Sequence, residues 1–218
     1  MLESVPMKNH ETTRNYYAES LATIDAFPPD KKPRLLLHVC CGPCACYPLT
    51  FLCEHFSVTI YYGNSNIYPE AEYDHRLAEL KRLLESLKRD YGYTIELVIP
   101  PYDHKTYWED LKPYAALPEG GYRCQLCYRK RMEDAYTYAD AHDFDYFTTV
   151  MTISPQKSSP ILNAIGAELE THHKTPYFYS DFKKKGGIDK GVAIRKQYQL
   201  YYQDYCGCEA SLASRKKP

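Results

Sequence analysis

Eight of the nine cysteines fall in three groups: Cys40-Cys41-Gly42-Pro43-Cys44-Ala45-Cys46, Cys124-Gln125-Leu126-Cys127 and Cys206-Gly207-Cys208. Sulfur in its thiolate form binds metals and attacks disulfides, so clustered cysteines carry redox or metal chemistry. A C-x-x-C that opens a helix sets both sulfurs near the positive end of the helix dipole, which favours the thiolate. Gly42 and Pro43 force a tight turn that directs several sulfurs toward one point. In Cys206-Gly207-Cys208 only one residue separates the sulfurs. A disulfide there would be strained and easily reduced, suited to a transient catalytic bond. Structural zinc wants four ligands, usually from two C-x-x-C-like knuckles, whereas iron–sulfur clusters take four thiolates. This supply is irregular: one C-x-x-C, one adjacent pair, one C-x-C. It leaves iron–sulfur, zinc and thiol–disulfide chemistry open. Cys46 reads as a packed residue or spare ligand, Cys53 as a small buried hydrophobe, and His38 as a satisfied core histidine.

The compartment follows from the same residues. Nine is an odd number, so no closed disulfide framework uses all of them. The first 32 residues hold no cationic segment leading into an apolar run, which predicts a cytoplasmic protein, where clustered thiols stay reduced. Residues 35–53 are uncharged apart from His38, but they contain Gly42, Pro43 and Pro48 and barely reach the ~20 residues of a membrane span. No membrane association is expected. The 27 Lys and Arg against 28 Asp and Glu give a net charge of −1, so no global positive field recruits nucleic acid. The 23 tyrosines should sit at core edges or on a wet binding surface.

The elements that position the sulfurs are legible as alternation. The 218 residues suit one domain or one with a small appendage. Residues 1–32 read as an N-terminal arm, helical over 16–26, and a Pro-rich linker; 33–218 read as a single α/β domain with a C-terminal helical segment. Apolar or β-branched runs at 34–39, 57–62, 94–99 and 146–150 predict strands, with 176–179 a further candidate. Helices are expected over 47–56, 69–91, 125–142, 160–169 and 190–202. The clearest is 69–91, where Tyr73, Leu77, Leu80, Leu84 and Leu87 form one apolar stripe. Strands alternating with helices predict a mostly parallel sheet with helices on both faces. Ligands bind such sheets beyond the carboxyl ends of the strands, where Cys40 and Cys41 stand.

With these groups in order, the sequence resembles the epoxyqueuosine reductases of the QueH type. The resembling stretches are Leu36-Leu37-His38-Val39-Cys40-Cys41-Gly42-Pro43-Cys44, Tyr122-Arg123-Cys124-Gln125-Leu126-Cys127-Tyr128 and Asp145-Tyr146-Phe147-Thr148-Thr149. Ser154-Pro155-Gln156-Lys157, Asp181-Phe182-Lys183 and Tyr205-Cys206-Gly207-Cys208 follow in the family's order, so the likeness spans about residues 34 to 212. It implies a nucleotide-binding fold of the HUP, Rossmann-like class and reduction of epoxyqueuosine to queuosine at the tRNA wobble position. It further implies a [4Fe–4S] cluster on Cys40, Cys41, Cys124 and Cys127, with Cys206 and Cys208 as a redox pair or, together with Cys44, as ligands of a neighbouring mononuclear iron. Some members carry Asp where Cys44 stands, which implies a position needing an anionic donor. Asp181, Tyr205 and Lys157 are the proton-donor candidates, with Asp181 placed among the catalytic residues. The partners implied are tRNA and an electron donor. Tyrosines at 198, 201, 202 and 205, and the lysines of 183–190, offer stacking and a local basic patch for an anticodon loop.

Two rivals are weighed beside this. An ATP-dependent tRNA-modifying enzyme of similar fold would carry a Ser-Gly-Gly-x-Asp-Ser phosphate loop where this chain has Val39-Cys40-Cys41-Gly42-Pro43-Cys44. A zinc-stabilised, non-catalytic RNA-binding module would hold one zinc and no sulfide.

Overall fold

The computed structural model describes residues 14–215, and residues 1–13 of the expected arm, together with the last three residues, lie outside them. Helix α1 (Tyr16–Asp25) starts at Asn15, whose side chain accepts from the Ala18 amide. Its Tyr16 ring stacks on Tyr179, and Phe27 after it packs edge-on to Phe56.

Strands β1 (Arg34–His38), β2 (Ser57–Tyr61), β3 (Glu96–Val98) and β4 (Tyr146–Thr149) form an all-parallel sheet in the order β3-β2-β1-β4. β1 is central, so it is covered on both faces and reads as an unbroken apolar run. Its side chains alternate. Leu35 and Leu37 join a core with helices α2 (Gly42–Leu52) and α3 (Glu70–Tyr91). Leu36 and Phe147 face the opposite way, into a second core with α5 (Tyr122–Ala141) and α6 (Ser159–Glu170). Helices therefore cover both faces, as expected. α4 (His104–Glu109) and a 3-10 turn (Lys112–Tyr114) lie between β3 and α5. α7 (Gly187–Gln197) packs on α2, and α8 (Glu209–Arg215) follows the C-x-C turn. No described helix is long and apolar enough to cross a membrane.

Several boundaries move, each for a local reason. α2 begins at Gly42, five residues before the expected start, because Cys41 caps it through its sulfur; the thiol accepts from the Cys44 amide at 3.4 Å. α5 begins at Tyr122, which places Cys124 and Cys127 inside its first two turns. The 176–179 run forms only an isolated bridge, Tyr177 against Phe147. α7 stops at Gln197 because Gln199 takes a left-handed conformation, φ 50°. The tyrosines beyond it therefore lie on an irregular strap and share no helix face. That strap is clamped by α3. The Tyr201 amide donates to Glu79 at 2.6 Å, and Arg82 donates to the Tyr198 carbonyl at 3.2 Å.

The order of the sheet locates the site. The chain lays β1, β2 and β3 outward in one direction, then crosses over to put β4 on the far side of β1. The loops after β1 and β4 diverge there, opening a crevice at their carboxyl ends.

Candidate metal centre

The loop after β1 delivers three sulfurs to the crevice. Cys40, Cys41 and Cys44 lie with their sulfurs all within 4.8 Å of one another, and Cys40 and Cys41 are 3.9 Å apart. Gly42 permits this turn to sit against α3, since a Cβ there would come within 3.1 Å of the Glu79 carbonyl oxygen. From the strap, Gln203 Nε2 donates to Cys41 Sγ at 2.9 Å and reaches Cys44 Sγ at 3.8 Å.

The second group comes from α5. Cys124 Sγ accepts from the Gly120 amide at 3.2 Å, and Cys127 Sγ accepts from the buried Tyr107 hydroxyl at 3.3 Å. The third is the C-x-C turn, where Gly207 sits at φ +110°, a conformation that favours glycine. Buried Arg76 on α3 holds this turn, donating to the carbonyls of Cys206 at 3.1 Å and Tyr205 at 3.3 Å while pairing with Glu72 at 2.7 Å. The Ser211 amide donates to Cys208 Sγ at 3.4 Å. N–H and O–H donors aimed at sulfur stabilise thiolates and tune whatever metal they bind. All nine cysteines are free thiols, with no disulfide between Cys206 and Cys208.

Two cations tie the groups together. Arg131, one helical turn beyond Cys127 on α5, is buried, and Lys157, in the loop after β4, is half-buried. Burial works against their charges, but thiolates outweigh it: Cys127 and Cys40 at Arg131, and Cys206 and Cys40 at Lys157. Cys40 is held well below the ordinary thiol range by hydrogen bonds from Cys41 and Cys44, aided by Arg131 and Lys157. Cys206 is drawn down to about 5 by its hydrogen bond from Cys208, with Lys157 and Arg131 adding to it. Their neighbours pay the complement. Cys41 is pushed up by burial and by Cys40, Cys44 by its two partners, and Cys208 by Cys206. Without metal these two groups share their protons unequally; a metal ion would displace them. Seven grouped thiols, five of them facing N–H or O–H donors, with two cations beside them suit a thiolate-bound metal.

Beside these groups lies one cavity of about 700 Å³. Cys40, Cys44 and Cys206 reach its wall together with Arg131, Lys157 and Tyr205. Arg76 and Arg215, also on the wall, are paired to Glu72 and Asp204. Arg131, Lys157 and Arg195 pair with no carboxylate among the described residues. Cys41, Cys124, Cys127 and Cys208 stand behind the wall, buried.

The remaining candidates separate from this group. Asp181 is not on the wall; its Oδ1 accepts from Ser159 at 2.9 Å and from the Lys183 amide at 3.3 Å. Lys183, expected in a basic patch, turns inward. Its ammonium donates to the carbonyls of Thr152 at 2.9 Å and Lys157 at 3.1 Å, and to Ser159 Oγ. Only Lys184 and Lys185 of the triplet stay exposed. Cys46 and Cys53 are buried thiols pushed up to about 12 by desolvation. His38 is fully buried, bonds Thr149 Oγ1 at 2.8 Å and is held down to about 3 by burial and Arg131. Sequence reading missed Arg76, Arg131 and Gln203. Arg131 carried a signal, four residues after Cys127 and hence above it on the same helix face. Arg76 also shares a 4-3-4 spacing with Leu80, Leu83 and Leu87. Gln203 carried none.

The family model described as "Epoxyqueuosine reductase QueH" matches residues 35–214. The chain is 35% identical over 177 residues to epoxyqueuosine reductase QueH of Streptococcus pyogenes serotype M1, covering 81% of this chain and 69% of that one. It is 34% identical over 179 residues to the same protein of Staphylococcus aureus, covering 81% and 75%. With that of Thermotoga maritima it shares 30% over 186 residues, covering 84% and 92%.

Proposed function

The chain belongs to the QueH family of epoxyqueuosine reductases, oxidoreductases of tRNA modification, and on that premise we propose that it converts epoxyqueuosine to queuosine at the tRNA wobble position with iron held by its clustered cysteines. The observation that carries the iron reading is the convergence of three distant cysteine groups on Arg131, which Cys127, Cys40 and Cys206 all hold charged, with Lys157 facing two of those groups. In this reading Cys40, Cys41, Cys124 and Cys127 hold a [4Fe–4S] cluster. Cys206 and Cys208, with Cys44, hold a second iron or cycle as a redox dithiol.

The reaction breaks two C–O bonds, forms one C=C bond and releases the oxygen as water, consuming two electrons and two protons. When bound, the iron supplies electrons singly and a Lewis acid for the epoxide oxygen, with a reductant outside the chain replenishing them. The chain's own groups do the rest. Lys157 stands on the cavity wall, where it can hold a proton near a bound substrate, whereas the Tyr205 hydroxyl donates to the Tyr68 carbonyl at 2.6 Å. Asp181 acts one step behind, through Ser159 and Lys183, which fix the loop that carries Lys157. Arg131 stays charged and offsets the negative charge of the sulfur set.

A second reading rests on one distance set. The mutual approach of Cys40, Cys41 and Cys44 favours a centre in which Cys44 joins the other two on one metal. Iron and sulfide analysis after anaerobic purification distinguishes the readings. About four irons and four sulfides per chain support the cubane cluster; zinc without sulfide supports the RNA-binding module and overturns the reductase mechanism. Cys44→Ser keeps the sulfide in the first partition and loses it in the second.

A further inference from the structure

Tyr202, on the wall of the cysteine cavity, differs from the other surface rings. It is 60% exposed, the most of the large apolar side chains among the described residues. The other exposed tyrosines lie against a neighbouring ring: Tyr68 against His104 at 5.0 Å, Tyr91 against Tyr93 at 5.5 Å, Tyr122 against Tyr114 at 5.3 Å. No aromatic ring pairs with Tyr202 among the described residues. What covers it is a cation: the Arg195 guanidinium lies over the ring, 4.7 Å from its centroid. The backbone beneath is anchored, since Leu200 is buried and the Tyr201 amide is bonded to Glu79. A fixed strap therefore presents a ring with one face backed and the other open.

The surroundings point to the ligand. Arg195 continues a helix face with Ile188, Gly191 and Val192 that lines the same cavity. Its Nε is buried without a hydrogen-bond partner, and no carboxylate neutralises it among the described residues. An aromatic face, an unneutralised guanidinium and an apolar strip suit an unpaired nucleotide, whose base stacks and whose phosphate is anionic. An acidic peptide would satisfy the cation but leave the ring's open face unused.

Resting on the tRNA reading above, we propose that Tyr202, backed by Arg195, is the stacking platform for an unpaired anticodon-loop base beside the wobble nucleotide, engaged when that nucleotide enters the cysteine cavity. Loop bases splay readily and every base offers a π-face. The test measures binding of anaerobically purified full-length protein to an anticodon stem-loop and to stem-loops made abasic at single loop positions. Loss of one base–aromatic stack weakens binding roughly 5- to 150-fold. Tyr202→Ala shows that loss, Tyr202→Phe stays within about threefold, and an abasic site at one position flanking the wobble nucleotide weakens the wild type equally without weakening Tyr202→Ala further. The proposal is overturned if Tyr202→Ala binds like the wild type, or if its loss adds to that of every abasic site. Wild-type protein that converts the wobble base while Tyr202→Ala does so at the same KM overturns the platform and leaves the reductase reading standing. Failure of wild-type protein to bind any stem-loop overturns both.

Discussion

Replacing Gly207 with alanine tests how the C-x-C turn is held. The residue sits at φ +110°, and a Cβ built there lies 2.8 Å from Arg76 Nη1, 3.2 Å from Cζ and 3.3 Å from Nη2. The backbone conformation alone costs an alanine about 1–3 kcal/mol. The guanidinium has little room to retreat, because Glu72 and the carbonyls of Tyr205 and Cys206 fix it. Giving up one of those charge-assisted bonds costs about 1.5–3 kcal/mol more. Gly92, the left-handed cap of α3 at φ +73° with nothing within 4 Å of its Cβ position, is the control; Gly92→Ala carries only the conformational term, about 1–2 kcal/mol. At roughly 2–4 °C per kcal/mol for a chain of this size, Gly207→Ala lowers Tm by about 10 °C and Gly92→Ala by about 4 °C. Thermal unfolding by circular dichroism of the metal-free proteins measures both. Epoxyqueuosine turnover falls only in Gly207→Ala, since only that substitution displaces Cys206. Equal Tm losses, or full activity in Gly207→Ala, refute the claim that Arg76 and Gly207 together set the turn.

Other expectations follow from the same contacts. In metal-free protein, Cys206 is a thiolate at any pH above about 5, so its alkylation by iodoacetamide stays fast at pH 6 and slows only as pH falls through 5. Lys157→Met moves that midpoint upward; an unchanged profile removes Lys157 from the site's electrostatics. Lys183→Met removes two charge-assisted bonds, to the carbonyls of Thr152 and Lys157, costing about 3–6 kcal/mol and shifting the Tm accordingly. Cys208→Ser abolishes turnover and keeps most of the iron colour, whereas Cys124→Ser loses both; a fully active Cys208→Ser excludes a redox role for the pair. tRNA affinity declines as salt rises, measured by filter binding from low to moderate salt, because phosphate contacts release counterions.

The parts of the fold legible in the sequence are those governed by local pattern. β1 and β2 are apolar runs that only a sheet covered on both faces accommodates, and the α3 stripe ends at Gly92, a left-handed cap. The four-strand core and its helices on both faces follow from that alternation. The early start of α2 was hidden, because its cap is a sulfur and few sequence signals mark Cys41 as one. The tyrosine spacing at 198–205 mimicked a helix, but Glu79 and Arg82 capture the backbone of that stretch from a hundred residues away. Within the site, the sulfurs announced themselves by grouping, whereas their counter-charges did not. Arg131 and Arg76 share helix faces with Cys127 and with Leu80, Leu83 and Leu87, but spacing does not reveal that a cation on such a face stays buried beside sulfur. Lys183 shows the reverse: a lysine triplet reads as a solvated patch until three oxygens claim its first member.

The central claim concerns chemistry at one cavity, and nucleoside mass spectrometry tests it most directly. Anaerobically purified, iron-loaded protein is incubated with reductant and tRNA bearing epoxyqueuosine, and the tRNA is then digested. The account predicts that epoxyqueuosine disappears and queuosine, lighter by one oxygen atom, appears in equal amount. Epoxyqueuosine left intact by protein carrying its full complement of iron and sulfide would contradict it.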